Sequence, residues 1–321
     1  MRTAAAGIFA VAAIVILVWF MNREEDWFSR TSFLSYIQES YAPEGLVQAY
    51  PGEDDTFLSE SEGLYLLWLA EQGEEDVFRA QVERMEEAYI ERSGGETFLR
   101  WKLGADAVNA LIDDERMIEA LRRGAEAFDE PAYTDLAEEL EASLERHLKN
   151  GDVLLDFYDW ELEAQSETFH LKYGRYETWE ALGMEGSFQL LYNQENLFWD
   201  EVYDTEKEEL APASDEADMI DQLLIASAAE EAGVDTSAFA AFVQEEWEER
   251  GLLYGRYDRQ EHTPSVDYES MAVYGIGAAY MEQRGDSRTA EAFIERGQEL
   301  FEQADKDDVH FFDLIWYAPS S

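Results

Sequence analysis

The chain has 321 residues, 46% hydrophobic and 14% aromatic, enough to bury a large core as one big domain or two small ones. Its 73 Asp and Glu against 23 Lys and Arg give a formal net charge of -50, which repels a phosphate backbone and excludes nucleic acid as a partner. The absence of cysteine excludes disulfides, thiolate nucleophiles and cysteine metal sites.

Ala4 to Met21, AAAGIFAVAAIVILVWFM, carries no charge and no polar face. As a helix it would span roughly 27 Å, close to the hydrocarbon thickness of a bilayer. Arg2 precedes it and NREED follows, a pattern that weakly favours an anchor with its N-terminus inside. No small-x-small cleavage site follows the apolar run, so a transmembrane anchor is expected over residues 1–23 in preference to a cleaved signal segment. The remaining domain, 24–321, is then expected outside the cell membrane as part of a single-pass protein, or secreted if the segment is removed.

After the anchor, apolar residues recur at three and four, so the expected fold is all-α. The spacing predicts helices over 27–38, 60–72, 75–91, 105–128, 132–147, 159–165, 175–182, 187–194, 215–231, 236–249, 268–283 and 287–304. The breaks between them hold the Gly, Pro and Asp that stop helices, as in YPGEDD, RSGGE and DEPAY. No break reads as a long linker.

The chain also echoes itself. Ile112–Phe128, an acid cluster and an apolar helix, is followed by a turn and a second helix, and Ser214–Gly233 repeats that plan. LSESEGLYLLWLAEQG likewise resembles DYESMAVYGIGAAYMEQRG, with Glu60 opposite Glu269. Each unit is a helical hairpin with a more apolar first helix, and stacked hairpins bury their inner helices against one another. Such units can close into an (α/α)6 barrel, a six-hairpin toroid, with inner-helix N-termini gathered at one end.

Acids mark those N-termini. Ser59 and Glu62 read as a capping box at the start of one helix, which leaves Glu60 free for chemistry. Asp113 and Asp114 open the next inner helix, and Asp267 and Glu269 flank Tyr268 at the last. Capping accounts for each singly; their joint occurrence points to a shared acidic site. Aromatics beside acids in DFYDWE and LKYGRYETWE suit sugar rings, which selects Tyr158, Trp160, Tyr173 and Tyr176 as substrate contacts, with Tyr268 beside Asp267. The four histidines are scattered, and no zinc, phosphate-loop, calcium-loop or serine-nucleophile motif occurs. No metal or organic cofactor is expected.

These segments resemble glycoside hydrolase family 8 and its bacterial relatives involved with exopolysaccharide. The family acid lies in a stretch like S-E-G-Q-G-Y, matched by Ser59-Glu60-Ser61-Glu62-Gly63-Leu64. A second stretch like A-T-D-A-D-L-D is matched loosely by ALIDDERM, which puts Asp114 on the second aspartate, the residue that holds the sugar at the cleavage point. A third, like Y-D-A-x-R, meets SVDYES, with Asp267 at the base position and Ser270 at the arginine, leaving Glu269 as a rival base. The resemblance implies an (α/α)6 barrel and an inverting mechanism in which Glu60 protonates the glycosidic oxygen and Asp267 activates water. A general acid of this kind needs a raised pKa, by burial or a second carboxylate. The resulting expectation is an endo-acting hydrolase of β-linked extracellular polysaccharide, with the bilayer as a partner through residues 4–21. An inactive carbohydrate-binding scaffold is the alternative, with a polysaccharide lyase behind it.

Overall fold

The computed structural model describes residues 29–52, 56–105, 107–175, 179, 182–192 and 196–319. The apolar segment 4–21 and Tyr176 lie outside the described residues. Among the described residues no helix is long and apolar enough to cross a membrane.

Helix is the main structure, as the spacing predicts. Helix α1 spans Arg30–Tyr36 and runs on through a wider turn to Tyr41. Then come α2 (Ser59–Gln72), α3 (Glu75–Tyr89), α4 (Leu111–Phe128) and α5 (Pro131–His147). They are followed by α6 (Glu185–Tyr192), α7 (Met219–Glu231), α8 (Ser237–Arg250), α9 (Met271–Gln283), α10 (Ser287–Gln303) and the short α11 (Phe311–Ile315).

Two layers follow from composition. Helices α2, α7 and α9 are rich in apolar and small residues, and residues on nearly every side of them are buried. Helix α10 buries one stripe only, Ala290, Phe293, Gly297 and Phe301, and turns its charges outward. The inner segments close a ring. Helix α2 packs on α4, α11 bridges α2 and α9, α9 packs on α7, and α7 packs on a single turn at Leu171–Tyr173. An ion pair from Arg175 to Glu119 ties that turn back to α4. Among the described residues six inner members therefore surround the axis, the third of them the single turn Leu171–Tyr173.

Local chemistry fixes the helix ends. Gly73 (φ 68°) ends α2 in the left-handed region open to glycine. Pro131 opens α5, where its missing N–H costs nothing. Asp218 caps α7 by accepting from the Ile220 N–H at 3.1 Å.

Several expectations need correction. The helices expected over 105–128 and 215–231 start only at Leu111 and Met219, and Glu216–Asp218 pairs as a strand with Arg256–Asp258. The helix expected over 159–165 is a two-stranded ribbon, Tyr158–Asp159 paired with Ala164–Gln165, because the Asp159 carboxylate accepts from the N–H groups of Glu161 and Leu162 and turns the chain. Helix α9 starts at Met271, not 268: Tyr268 is held extended by the Gly255 N–H, and its ring occupies the space a Gly255 side chain would fill. The capping box also does not form. Ser59 Oγ donates to Asp113 Oδ2 (3.0 Å), while Glu62 accepts from the Val47 N–H (2.7 Å) and Gln81 (2.6 Å).

Candidate active site

At the N-terminal end of the inner helices lies a cavity of about 480 Å³. Its carboxylates come from four elements: Glu60 on α2, Asp113 on α4, Asp221 on α7 and Asp313 on α11. Arg116 and Lys172 are its cations. Tyr50, Trp101, Tyr173 and Phe312 supply aromatic wall, and the Tyr50 ring meets His310 edge-on at 4.8 Å.

Close helix packing sets the geometry. A Cβ on Gly63 would lie 3.3 Å from Arg116 Cβ, so glycine lets α2 approach α4 at the level of the site. Arg116 is 3% exposed, and its Nη1 donates to Glu60 Oε2 at 3.1 Å. The same nitrogen lies 3.9 Å from Asp113 Oδ1. The guanidinium also sits 5.7 Å from the Phe312 ring centre.

The acids differ in environment. Burial pushes Asp113 up to about 7, with Glu60's charge adding to the rise and Arg116 and Ser59 opposing it. Asp221 is bound by Lys172 Nζ at 3.1 Å to each oxygen. Burial raises its pKa, against the pull of that ammonium. Asp313 Oδ1 accepts from the Ala272 N–H (3.1 Å) at the start of α9. Burial raises it as well, and Glu60's charge contributes.

The structure brings together only part of the expected set. Glu60, Asp113 and Tyr173 line the cavity. Asp114 does not; it is buried beneath, accepting from Asn109 Nδ2 at 2.6 Å, and burial raises its pKa well above its usual value. Asn109 Oδ1 accepts in turn from the Tyr158 N–H at 2.7 Å, so Asp114 pins a chain crossing. Tyr158 stacks on His147 and Trp160 on Phe98, with ring centres 4.2 and 4.8 Å apart, outside the cavity lining. Asp267 is exposed, and Tyr268, also exposed, packs on Gly255; neither lines the cavity. Glu269 also stays outside it. Burial works against its charge, but Arg296 (2.6 and 2.9 Å) and the Tyr274 hydroxyl (2.5 Å) hold its pKa below the usual value.

Asp221, Asp313, Arg116 and Lys172 are absent from the sequence expectation. Asp221 had a signal there: Ile220-Asp221 occupies in α7 the same second and third positions that Ile112-Asp113 occupies in α4, within the two units that echo each other. Asp313 had none, since it reaches the site from the tail. Among the described residues no group of His, Asp and Glu is arranged to hold a metal ion.

No family model matches the chain. PssZ from Listeria monocytogenes, known from its crystal structure, is 30% identical, with a TM-score of 0.81 over 90% of this chain and 94% of that one. YdaJ, a candidate lipoprotein of Bacillus subtilis strain 168, is 27% identical over 267 residues, 78% of this chain and 72% of its own. At lower identity the fold recurs in a Clostridium perfringens α-amylase (18%, TM-score 0.76, 88% and 94% covered). It recurs again in Cel10, a family 8 endoglucanase of Klebsiella pneumoniae (14%, TM-score 0.61, 84% and 99% covered). The helical ring is thus a fold shared with these glycoside hydrolases, and the likeness to PssZ runs along nearly all of both chains. The chain belongs to the family of PssZ and shares its fold with family 8 endoglucanases.

Proposed function

We propose that the protein is an inverting, endo-acting glycosidase of the cell envelope that hydrolyses β-linked bonds of an extracellular polysaccharide. One observation carries the reading: Glu60 meets carboxylates from three other elements inside a cavity walled by aromatic rings. Polar groups converging in an aromatic-lined cleft suit a sugar, whose faces are apolar and whose edges bond. The envelope location rests on the apolar segment 4–21 and on the likeness to YdaJ.

Glu60 protonates the glycosidic oxygen. The water-activating base is Asp221 in place of Asp267 or Glu269. It lines the cavity, stands on a different inner helix from Glu60, and has the Lys172 ammonium against both oxygens, opposing the burial that raises its pKa. Inversion requires the two carboxylates to stand about 6.5–9.5 Å apart, with water between the base and the sugar. Asp113 takes the sugar-holding role that the motif comparison gave to Asp114. Tyr173 and Trp101 offer faces to the ring.

Turnover by Asp221→Asn and Asp267→Asn tests the assignment. Asp221→Asn is expected to lose at least about 100-fold in kcat, and Asp267→Asn to stay within about threefold. The reverse pattern returns the base to the loop before α9. A binding scaffold is the second reading, favoured by Ser61, Leu64 and Ser270 where the family pattern has Gly, Tyr and Arg. It predicts sugar affinity with no turnover.

A further inference from the structure

Arg116 is unusual in its placement. It is a nearly fully buried guanidinium, and one nitrogen of it faces two carboxylates, at 3.1 Å from Glu60 and 3.9 Å from Asp113. Its stem passes beside Gly63, and its head sits over the Phe312 ring. Asp113 has one other side-chain partner, the Ser59 hydroxyl. Two carboxylates that share one cation favour a single retained proton, because neighbouring like charges resist joint ionisation.

We propose that Arg116 is a positioning residue that Glu60 and Asp113 share, and that the proton used at the glycosidic oxygen is held by whichever carboxylate the guanidinium has left. In the observed geometry Arg116 is on Glu60, which on this proposal leaves Asp113 to hold the proton. A shift of about 1 Å toward Asp113, estimated from the usual length of a charge-assisted hydrogen bond, carries the cation over. The O–H bond at Asp113 breaks as one forms at Glu60, and charge is conserved across the pair. Glu60, now neutral and free of Arg116, can donate to the leaving oxygen. The pair is also faced by Asp313 on α11, the His310 imidazole just before that helix, Lys172 on the turn and Asp221 on α7; Lys172 and Asp221 pair with each other. This inference rests on the glycosidase reading for the use of the proton, but not for its sharing.

The test is a carboxyl-carbon NMR titration of Asp113 in the intact folded protein, which needs no activity. In the wild type its midpoint is expected near 7. Glu60→Gln removes the repelling charge and releases Arg116, and is expected to lower the midpoint by about one unit or more. Arg116→Met is expected to raise it by a similar amount, and Arg116→Lys to restore most of the wild-type value. Should Arg116→Met fail to fold, Glu60→Gln and Arg116→Lys still decide. An Asp113 midpoint unmoved in folded Glu60→Gln would overturn the proposal, whether or not the protein cleaves sugar. If it moves as expected while no polysaccharide is cleaved, the sharing stands and the glycosidase reading falls.

Discussion

Burial acts on single carboxylates here, and Glu62 shows it away from the chemistry. It is fully buried between the Val47 N–H and Gln81, and burial pushes its pKa up to about 7, with those two hydrogen bonds and Arg84 opposing. The folded state therefore holds this proton more tightly than the unfolded state does. The stability it contributes is complete below about pH 4.5 and is lost as pH rises through about 7, a difference of about 3 kcal/mol. Glu62→Gln keeps an acceptor for Val47 and removes the titration. Denaturant melts at pH 5 and pH 8 should show a smaller pH effect in the variant than in the wild type; equal slopes would mean that Glu62 does not titrate this way. The sequence showed Glu62 as a cap because its spacing from Ser59 fits one. Local spacing cannot reveal that residue 47 will arrive with an unpaired N–H.

Register explains most of what was legible about the elements. The contrast between inner and outer helices was visible in composition, and with it the order of the hairpins. Glu60 and Asp113 were legible because each stands in the first turn of an inner helix. Asp267 failed the same test for a physical reason: the chain before α9 is held extended on Gly255 and bends helix entry past residue 270. Tyr158, on the ribbon's first strand, and Trp160, just after it, have the composition of a sugar site, but their rings stack on His147 and Phe98 respectively. A further helix contact is checkable. An alanine Cβ at Gly297 would meet the Tyr317 hydroxyl at 1.9 Å, and that hydroxyl donates to the Met271 carbonyl at the entrance of α9. Gly297→Ala gains about 1 kcal/mol of helix propensity and costs about 1–3 kcal/mol or more of overpacking. Net destabilisation in urea is expected; a more stable variant would show that the tail yields freely.

For the whole molecule, charge and closure dominate. Net charge of -50 spread along the chain makes self-repulsion a standing cost of compaction. Salt screens it, with a Debye length of about 30 Å at 0.01 M and about 3 Å at 1 M. The melting temperature should rise by several degrees between those limits in NaCl; a flat or falling curve would mean that local ion pairs outweigh the net charge. Ring closure was only partly readable. Sequence echo implied repeated hairpins, but the third inner member is a single turn, and the sixth, α11, comes from the tail and carries Asp313. Neither has a helical period long enough to announce itself.

The central claim is that Glu60 delivers a proton inside this cavity. It is tested most directly by sugar release from a panel of β-linked polysaccharides, with starch as the α-linked control, comparing the wild type with Glu60→Gln at matched folding. The account predicts release from a β-linked polymer by the wild type and a loss of at least about 100-fold in the variant. Equal release by both proteins would contradict it.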